Sequence, residues 1–478
     1  MEMKEKMFDY LQSNSLGVGF QELCDFVINK NNCVYCGACV SLCPRIGINE
    51  EKPNLLEYDP ECSMCVSYCA RTFFPEDEFK NDLFSGQAHK YDFLLGDYQK
   101  IAAAKSNDDD VVKLAQNGGV VSSLLIHALN TDLVDGILLT DKDEDWYPKP
   151  VIARTPDEVL DYAGSKYTIA PTLITYKDAV KKYKLKRLAF VGLPCQIQSA
   201  RKLQAYPPLS EEFGKIKLII GLYCLSNYSY ESLKEMVKQK FGISMRDVRK
   251  FDIHRGKFIV QTKKGVSKEI PIKDTKEYKW PSCQFCKDST AEFADISVGS
   301  VGAPKNDWNT VIIRSDVGLN LFNDAVASKH LITADTVDIS RIKKVSFGKK
   351  SQISKIENSV LNGMQLLGGS DLEVRTYTSL ISLGHATLAV LNKVLKVDEK
   401  DILNALNTLK KREWITSTDG IISPVNPNQV IRCEIDKLKK DLEQKINTIE
   451  SEVLMDLKCM FVQNNFKDIR YKEFMDLI

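Results

Sequence analysis

The chain has 478 residues, with 65 basic and 64 acidic side chains and a formal net charge of +1. That length exceeds one compact core, so we expect about two to four domains. The near-neutral balance gives no indication of a nucleic-acid binder or of a protein held on a membrane surface by its charge.

No run of the sequence approaches the roughly 18 consecutive apolar residues of a membrane span, and the first residues contain no signal-peptide-like stretch. We therefore expect a cytoplasmic protein with no membrane insertion. Fourteen cysteines in such a protein favour metal ligation over disulfides. Oxygen-sensitive metal clusters would imply a reducing, anaerobic cell.

The N-terminal part is predicted as a helical lead-in, residues 1–30, followed by a ferredoxin-like α+β domain, residues 31–78. The domain holds the run Cys33-x2-Cys36-x2-Cys39-x3-Cys43-Pro44, the spacing of bacterial ferredoxins. Three thiolates of one tight loop reach three irons of one [4Fe–4S] cluster, and the fourth cysteine is directed to another cluster. A structural zinc site is the alternative, and the third cysteine and the proline argue against it.

A second run, Cys62-x2-Cys65-x3-Cys69, departs from this pattern because the next step back falls on Asp59. By the usual cross-over, Cys33, Cys36, Cys39 and Cys69 hold one cluster, and Cys43, Cys62 and Cys65 hold the other. Asp59 is either an oxygen ligand to the fourth iron or only a turn residue before Pro60. If Asp59 is not a ligand, the fourth iron is labile. No proline follows this run, since Cys69 precedes Ala70-Arg71.

An α/β domain is predicted for residues 95–360. Apolar runs at 134–140, 188–192 and 216–222 have the low polarity of central strands in a mostly parallel sheet. The run Val120 to Leu129 predicts a buried helix, and Ala179 to Lys186 a helix before the second of these strands.

The C-terminal part is predicted as a winged-helix-like domain, residues 370–430, and an amphipathic docking or coiled-coil helix, residues 431–478. Residues 387–395 and 398–412 have helical patterns, and residues 413–423 predict two strands joined at Asp419-Gly420. In the last helix, apolar residues from Ile435 to Leu457 recur with the helical period of about 3.6.

A second cysteine group is spread along the α/β domain. It comprises Gly192-Leu193-Pro194-Cys195-Gln196, Gly221-Leu222-Tyr223-Cys224 and Cys283-Gln284-Phe285-Cys286-Lys287-Asp288. Further strings are Ala115-Gln116-Asn117-Gly118-Gly119, Gly164-Ser165-Lys166-Tyr167-Thr168 and the segment Ala294 to Pro304. Together these strings resemble the family of the β subunit of coenzyme F420-reducing hydrogenase, over about residues 95–350.

The resemblance implies FAD, one [4Fe–4S] cluster beside it on Cys195, Cys224, Cys283 and Cys286, and hydride exchange with the deazaflavin coenzyme F420. With the ferredoxin-like pair, this makes three [4Fe–4S] clusters. Buried cysteines without a ligand are the alternative, weak for four cysteines in glycine- or proline-rich turns. The remaining cysteines, Cys24, Cys433 and Cys459, have no cluster spacing.

Candidate cofactor contacts follow from the same strings. Glycines at a helix start or in a turn allow close backbone approach to a diphosphate, although each pair alone fits a simple turn. The candidates are Gln116, Asn117, Gly118, Gly119, Ser165, Lys166, Tyr167, Gly299, Ser300, Gly302, Trp308 and Thr310. The family often has Asp at the place of Asn117 and Trp at that of Phe258.

Coenzyme F420 is anionic, so cations are expected along its approach. Lys166, Arg255, Lys257 and Arg314 lie in or beside the matched strings; each is otherwise a solvated charge. His254 is either a further hydrogen-bond donor to the coenzyme or an ordinary surface histidine.

These expectations describe an α/β flavin-binding core with an N-terminal ferredoxin-like domain and a C-terminal extension, acting as a coenzyme F420-dependent oxidoreductase. Electrons would pass to or from a partner subunit or a ferredoxin in a hetero-oligomeric complex, and no nucleic acid is expected. Two alternatives are a redox-sensing DNA-binding regulator and a stand-alone reductase of an organic substrate. Acidic residues at the start of the candidate recognition helix, Asp398 to Asp401, argue against the first.

Overall fold

The structure is a computed structural model that describes residues 19–57, 62, 64–72, 74–84, 89–351 and 358–466. The chain divides into two compact units, Met1–Gln352 and Ile353–Ile478. None of the helices in these described ranges has the length and apolar character needed to cross a membrane.

The strands of the described residues form one large sheet and several small ones. In chain order they are β1 (Ile46–Asn49), β2 (Lys52–Leu55), β3 (Lys90–Asp92), β4 (Gly96–Tyr98), β5 (Lys100–Ser106), β6 (Gly136–Lys142), β7 (Pro148–Ala153), β8 (Arg187–Gly192), β9 (Lys215–Leu222), β10 (Val248–His254), β11 (Lys257–Thr262), β12 (Ser267–Pro271), β13 (Ile296–Gly299), β14 (Asn309–Ile313), β15 (Leu331–Ala334), β16 (Ile415–Thr418) and β17 (Ile421–Pro424).

The α-helices of the described residues flank these strands. They are α1 (Phe20–Leu23), α2 (Ala38–Leu42), α3 (Met64–Tyr68), α4 (Glu76–Phe84), α5 (Asp109–Leu114), α6 (Val120–Asn130), α7 (Pro156–Asp161), α8 (Tyr176–Lys181), α9 (Pro194–Ala205), α10 (Tyr230–Met236), α11 (Asp316–Ala327), α12 (Ile339–Lys350), α13 (Asn358–Leu366), α14 (Asp371–Leu383), α15 (Leu388–Leu395), α16 (Glu399–Lys411), α17 (Pro427–Thr448) and α18 (Leu454–Phe466).

The described residues also form short helical turns of other types. The π-helical turns are Cys24–Ile28, Val237–Phe241 and Ile449–Val453, and the 3-10 turns are Thr172–Thr175, Met245–Asp247, Ile272–Tyr278 and Pro281–Phe285.

The large sheet of the first unit has eight strands in the order β15-β5-β14-β13-β9-β8-β6-β7. The three strands predicted from apolar runs, β6, β8 and β9, lie side by side in parallel, as expected. Their side chains are mostly buried because helices cover both faces.

The sheet as a whole is mixed, because β7, β14 and β15 pair antiparallel with their neighbours. The loop between β13 and β14, residues 300–308, is too short for the crossover helix that a parallel connection needs. The mostly parallel expectation therefore holds only for the centre of the sheet.

One edge of this sheet collects the carboxyl ends of five strands. β13, β9, β8 and β6 run parallel, and β5 runs the same way because it and β13 both pair antiparallel with β14. Ligands of open α/β sheets bind outside the carboxyl ends of the strands. The loops at this edge hold Cys195, Cys224 and the glycine turn at 118–119.

The N-terminal cysteine region packs against this unit. Its own small core contains Phe20, Leu23, Val27, Ile46 and Val66 next to the cysteines. The backbone N–H of Leu173 donates to the carbonyl of Cys36 at 2.9 Å, so the first cysteine loop is hydrogen-bonded to the α/β core.

The second unit has its own core around Trp414 and Tyr377. The two helices α15 and α16 and the β16–β17 hairpin confirm the predicted elements, and Asp419 and Gly420 have the positive φ of the hairpin turn. Helices α13 and α14 were not expected; Ser370, predicted as a boundary, caps α14. Along the last helix, the apolar residues from Ile435 to Leu457 are exposed.

Candidate functional site

The second cysteine group lines one cavity at the sheet edge. Cys195 lies in the first turn of α9, just after β8, and Cys224 follows β9. Cys283 and Cys286 come from the 3-10 turn at 281–285 and the residue after it. The cavity has about 290 Å³ of empty space including its mouth, and it is lined by Ile169, Leu193, Pro194, Cys195, Cys224, Asn227, Ser282, Cys283, Cys286 and Lys349.

A buried ammonium group lies among these thiols. Lys349 Nζ donates to the carbonyl oxygen of Cys224 at 2.6 Å, and the backbone N–H of Asn227 donates to Cys283 Sγ at 3.4 Å. Burial raises the pKa of the Cys224 thiol to about 12, while the Lys349 charge acts against that rise. Such thiols become thiolates when a metal supplies positive charge.

The cysteines of the first group lie close together. Cys33, Cys36, Cys39 and Cys69 lie close enough to act electrostatically on one another, and burial raises the pKa of Cys33 to about 12 and that of Cys69 to about 11. Burial raises the pKa of Cys65 to about 12, and Cys62, Cys43 and Cys69 add to that rise. Cys65 therefore lies near cysteines that the cross-over spacing assigns to both clusters.

The cross-over assignment of these cysteines to two clusters stays a prediction. Asp59 lies outside the described residues. In the described part of the chain, no three His, Cys, Asp or Glu side chains gather as they would around a single metal ion. A four-iron cluster takes one thiolate per iron and so requires a wider spacing.

Helix α9 connects the two cysteine groups. Cys195 begins it, Ser199 Oγ lies 3.4 Å from Cys36 Sγ, and Lys202 Nζ donates to the carbonyl of Cys69 at 2.6 Å. At a rise of about 1.5 Å per residue, Ser199 is about 6 Å and Lys202 about 10 Å along the axis from Cys195.

A second connection runs through Trp280, which precedes Cys283 by three residues. Its Nε1 donates to the carbonyl of Cys33 at 2.8 Å, and its ring lies 5.9 Å from that of Tyr35. Cys283 packs against the same aromatic cluster. The two cysteine groups, more than 100 residues apart in sequence, are therefore neighbours in the fold.

The glycine turn before α6 meets the 306–309 loop. Asn117 Nδ2 donates to the carbonyl of Asn306 at 3.1 Å, and a Cβ on Gly118 would come within 2.8 Å of Asn309 Oδ1. Gly119 has φ +76° and caps α6, whose first backbone N–H groups have no partner within the helix. Trp308 lies within this loop and Thr310 follows it, and the buried Thr310 Oγ1 has no hydrogen-bond partner in the described residues.

Gln116 and Tyr167 lie together beside the three-stranded sheet β10-β11-β12. Gln116 Nε2 donates to the carbonyl of Phe251 at 3.0 Å. The ring of Tyr167 packs edge-on against Phe251 and Phe258, at 6.4 and 6.0 Å between centroids. Ser165, two residues earlier, lies in the loop that leads to Tyr167.

Two of the predicted glycines are close-packed against protein. A Cβ on Gly299 would lie 2.1 Å from the Tyr223 ring, and one on Gly302 would lie 2.7 Å from Ile342. Their lack of a side chain is thus required by internal packing, whereas Ser300 between them is exposed.

The predicted cations fall into two classes. Lys166 is buried and donates to the carbonyls of Tyr162, Ala163 and Gly164. Arg314 is fully buried and donates to Ser297, Leu95, Asp97 and Thr290. Both charged groups are satisfied inside the protein, so neither is free to line an approach.

Arg255 and Lys257 are exposed at the β10–β11 turn, and Lys257 pairs with Glu269. His254 is half-buried at the end of β10.

Sequence reasoning missed four polar residues around the cysteines: Arg71, Ser199, Lys202 and Lys349. The sequence offered a signal for Arg71, because this residue follows Cys69 by two positions. Its backbone N–H donates to Cys69 Sγ at 3.4 Å. The other three lie on helices whose contact with the cysteines depends on the tertiary fold, so no local signal marks them.

Comparison with known proteins gives matches over the same regions. Residues 101–176 and 185–339 match the N-terminal and C-terminal family profiles of the "Coenzyme F420 hydrogenase/dehydrogenase, beta subunit". Residues 26–45 match the "4Fe-4S binding domain". A relative from Methanococcus voltae, coenzyme F420 hydrogenase subunit beta, is 40% identical over 266 residues, which are 55% of this chain and 94% of that protein.

The chain belongs to the family of coenzyme F420 hydrogenase/dehydrogenase beta subunits. The resemblance inferred from the motifs is thereby confirmed. Its other relatives include a component of the F(420)H(2) dehydrogenase of Methanosarcina mazei, 33% identical over 62% of this chain and 83% of that protein. The coenzyme F420-dependent sulfite reductase of Methanocaldococcus jannaschii is 33% identical over 70% of this chain and 52% of that enzyme.

A solved structure resembles part of this family member. It is a chain of the F420-reducing [NiFe] hydrogenase complex from Methanosarcina barkeri, determined with xenon, with a TM-score of 0.54 and 34% identity. The match covers 58% of this chain and 96% of that chain. The α/β core is thus an architecture that the two proteins share.

Proposed function

We propose that this family member is an iron–sulfur flavoprotein subunit of an F420-linked oxidoreductase. It exchanges a hydride between coenzyme F420 and FAD and passes single electrons through three [4Fe–4S] clusters to or from a partner subunit or a ferredoxin. The names of its relatives support the F420 linkage.

The observation that carries the proposal is helix α9. Its first turn holds Cys195 of the inner group, and its later turns touch Cys36 and Cys69 of the ferredoxin-like group. A separation along the helix of about 6–10 Å suits electron transfer between two buried centres. A single rigid element therefore fixes the spacing of two cluster sites.

The donor sets fit iron–sulfur clusters. Cys195, Cys224, Cys283 and Cys286 surround one cavity, and in the first group Cys33, Cys36, Cys39 and Cys69 are placed together. Cys43, Cys62 and Cys65 provide three ligands for a further cluster, for which Asp59 remains the candidate fourth ligand. Thiolate ligands and a buried shell set the potential of such clusters.

The sheet edge also fits a dinucleotide. The N-terminus of α6 after Gly118-Gly119 is suited to phosphate, and Thr168 Oγ1 and Thr310 Oγ1 are buried polar atoms without a partner among the described residues. Gln116, Asn117, Ser165, Tyr167, Ser300 and Trp308 are proposed to border it. When bound, a flavin takes up two electrons as a hydride and releases them one at a time.

The residues of this chain have three tasks in that chemistry. Oxidation of one reduced deazaflavin releases a hydride and one proton, so two one-electron acceptors are reduced per turnover. Arg255 and Lys257, exposed at the β10–β11 turn, are the proposed contacts for the anionic tail, with His254 as an additional donor. Lys349 holds positive charge against the inner thiols, and Lys166 and Arg314 hold the walls of the site in place.

The second unit is proposed as the docking element. Its helix–helix–hairpin order is winged-helix-like, and winged helices also bind proteins. The long helix carries an exposed apolar stripe from Ile435 to Leu457, which is the character of a protein-binding face.

The test is anaerobic mixing of the iron- and flavin-loaded chain with reduced coenzyme F420 and a viologen dye. We expect the absorbance of oxidised deazaflavin to appear together with two reduced dye molecules per deazaflavin. Protein with flavin and about twelve irons, as three cubanes require, that oxidises no deazaflavin would contradict the F420 assignment.

A further inference from the structure

We infer that Arg71 is a shared tuning residue for two clusters, the one on Cys33, Cys36, Cys39 and Cys69 and the one on the inner cysteines. Its guanidinium donates hydrogen bonds towards both and makes both easier to reduce. The inference rests on the proposed function, because it assumes that these cysteine groups hold clusters.

Arg71 lies next to the first of these groups through the chain itself. It follows Cys69 by two residues, and its backbone N–H donates to Cys69 Sγ at 3.4 Å. Its side-chain atoms Nε and Nη2 are buried.

Those two donor atoms have no hydrogen-bond partner in the described residues, and no ion pair of Arg71 is found there either. Leaving a buried charged donor unpaired costs several kcal/mol. Arginine cannot avoid that cost by losing its proton. The cost is offset if an anion occupies the neighbouring space.

The proposed function places anionic clusters in that neighbouring space. Burial raises the pKa of the Cys33 and Cys69 thiols, and the Arg71 charge acts against that rise. The same charge reaches the thiols of Cys195 and Cys286 in the inner group. Arg71 is therefore close to both cysteine groups at once.

Other cations near the cysteines are already engaged. Lys202 Nζ donates to the Cys69 carbonyl, and Lys349 Nζ donates to the Cys224 carbonyl. Each of these contacts serves one group only. Arg71 differs because two of its donors are unused among the described residues and its charge is felt by both groups.

The direction of the effect follows from charge. A one-electron reduction adds one negative charge to a cluster, and a nearby guanidinium stabilises that charge. Hydrogen bonds to cluster sulfurs and net charge are among the factors that set the reduction potential. Because Arg71 raises the reduction potentials of both clusters, the difference between the two potentials changes little.

The test is a mediated redox titration of the loaded full chain, followed by electron paramagnetic resonance with dithionite as reductant and no coenzyme F420. For Arg71→Gln we expect the midpoint potentials of two of the three clusters to fall, by about tenfold in the reduction equilibrium constant, or about 59 mV for one electron. Arg71→Lys, which keeps the charge but not the fork of donors, should give a smaller fall.

Arg45→Gln is the matched control. Arg45 also follows a cluster cysteine, Cys43, by two residues, but its guanidinium pairs with Glu57 at 3.6 Å and is 38% exposed. We expect the cluster midpoint potentials of Arg45→Gln to equal those of the wild type.

Equal potentials in Arg71→Gln and the wild type would overturn the inference while leaving the F420 reaction intact. Loss of cluster iron from both Arg71 variants would also overturn it, in favour of a role in assembly. Failure of the wild type to bind clusters after reconstitution with iron and sulfide would instead overturn the proposed function and this inference together.

Discussion

Replacing Gly37 with alanine tests how firmly the first cysteine loop is fixed to the α/β core. Gly37 separates Cys36 from the short helix α2 and has φ +86°, in the left-handed region. A Cβ there would lie 2.6 Å from the carbonyl oxygen of Pro171 and 2.8 Å from the backbone nitrogen of Ile174. Both atoms belong to backbone, and the Leu173–Cys36 hydrogen bond holds that backbone in place.

Two costs add in this variant. An L-residue in the left-handed region costs about 1–2 kcal/mol, and overpacking against a fixed neighbour costs about 1–3 kcal/mol. We therefore expect Gly37→Ala to lower the free energy of unfolding by about 2–5 kcal/mol. Because the loop carries Cys36 and Cys39, part of this cost should appear as separation of the loop from the core.

Gly265→Ala provides the matched control, since Gly265 has φ +83° and a Cβ added there would meet nothing within 4 Å. Anaerobic urea unfolding of the loaded proteins, with hydrogen exchange of residues 33–43 and 169–177, measures both effects. The reasoning is refuted if Gly37→Ala is no less stable than Gly265→Ala, or if exchange in the two segments is unchanged.

Three further predictions concern the inner cluster and the second unit. Cys283→Ser should reduce the iron content from about twelve to about eight and leave the flavin reducible by deazaflavin, while reduction of the outer clusters is lost. Lys349→Met should speed iron loss to a chelator by about 10–100-fold, the usual effect of removing a supporting contact of a metal site. Burial alone would raise the pKa of Glu434, but hydrogen bonds from Arg412, Trp414 and a lysine outweigh it and hold the pKa below 4.5. Glu434→Gln should therefore lower the free energy of unfolding of the second unit by about 1–3 kcal/mol at pH 7. This difference should shrink as the pH falls below about 4.5 and through the lowered pKa, because the carboxylate then takes up a proton. Hydrogen exchange of the second unit measures both effects.

Each of these variants has a control of the same residue type. Cys459→Ser alters an exposed thiol outside both groups, Lys344→Met a lysine of the same helix as Lys349, and Glu443→Gln an exposed carboxylate of the same helix as Glu434. Outer clusters reduced at the normal rate in Cys283→Ser would contradict the relay. Iron loss at the same rate in Lys349→Met and Lys344→Met, or a pH-independent effect of Glu434→Gln, would contradict the other two.

Local patterns predicted much of the fold. The apolar runs correspond to strands β6, β8 and β9, and the turn at Asp419-Gly420 to the β16–β17 hairpin. The mixed order of the large sheet was not predictable, because strand direction depends on loop length and packing across the sheet.

For the site, cysteine spacing predicted that the thiols of the first group lie near one another, since four of them are within one short segment. The sequence does not distinguish a glycine that makes room for a ligand from one that makes room for a side chain of the protein. Gly299 and Gly302 illustrate this, as Tyr223 and Ile342 occupy that space.

Charged residues were the least predictable part. Lys166 and Arg314 have the sequence character of ligand contacts, yet their donors are used by backbone carbonyls and internal side chains. Arg71 is far in sequence from Cys195 and Cys286, so its closeness to them follows only from the tertiary fold.

Rapid-freeze electron paramagnetic resonance after a single mixing with reduced coenzyme F420 tests the central claim most directly. The account predicts that signals of the ferredoxin-like clusters appear within one turnover and are absent in Cys283→Ser. The account is contradicted if these clusters stay oxidised in the wild type although dithionite reduces them, because deazaflavin electrons would then not reach the outer group.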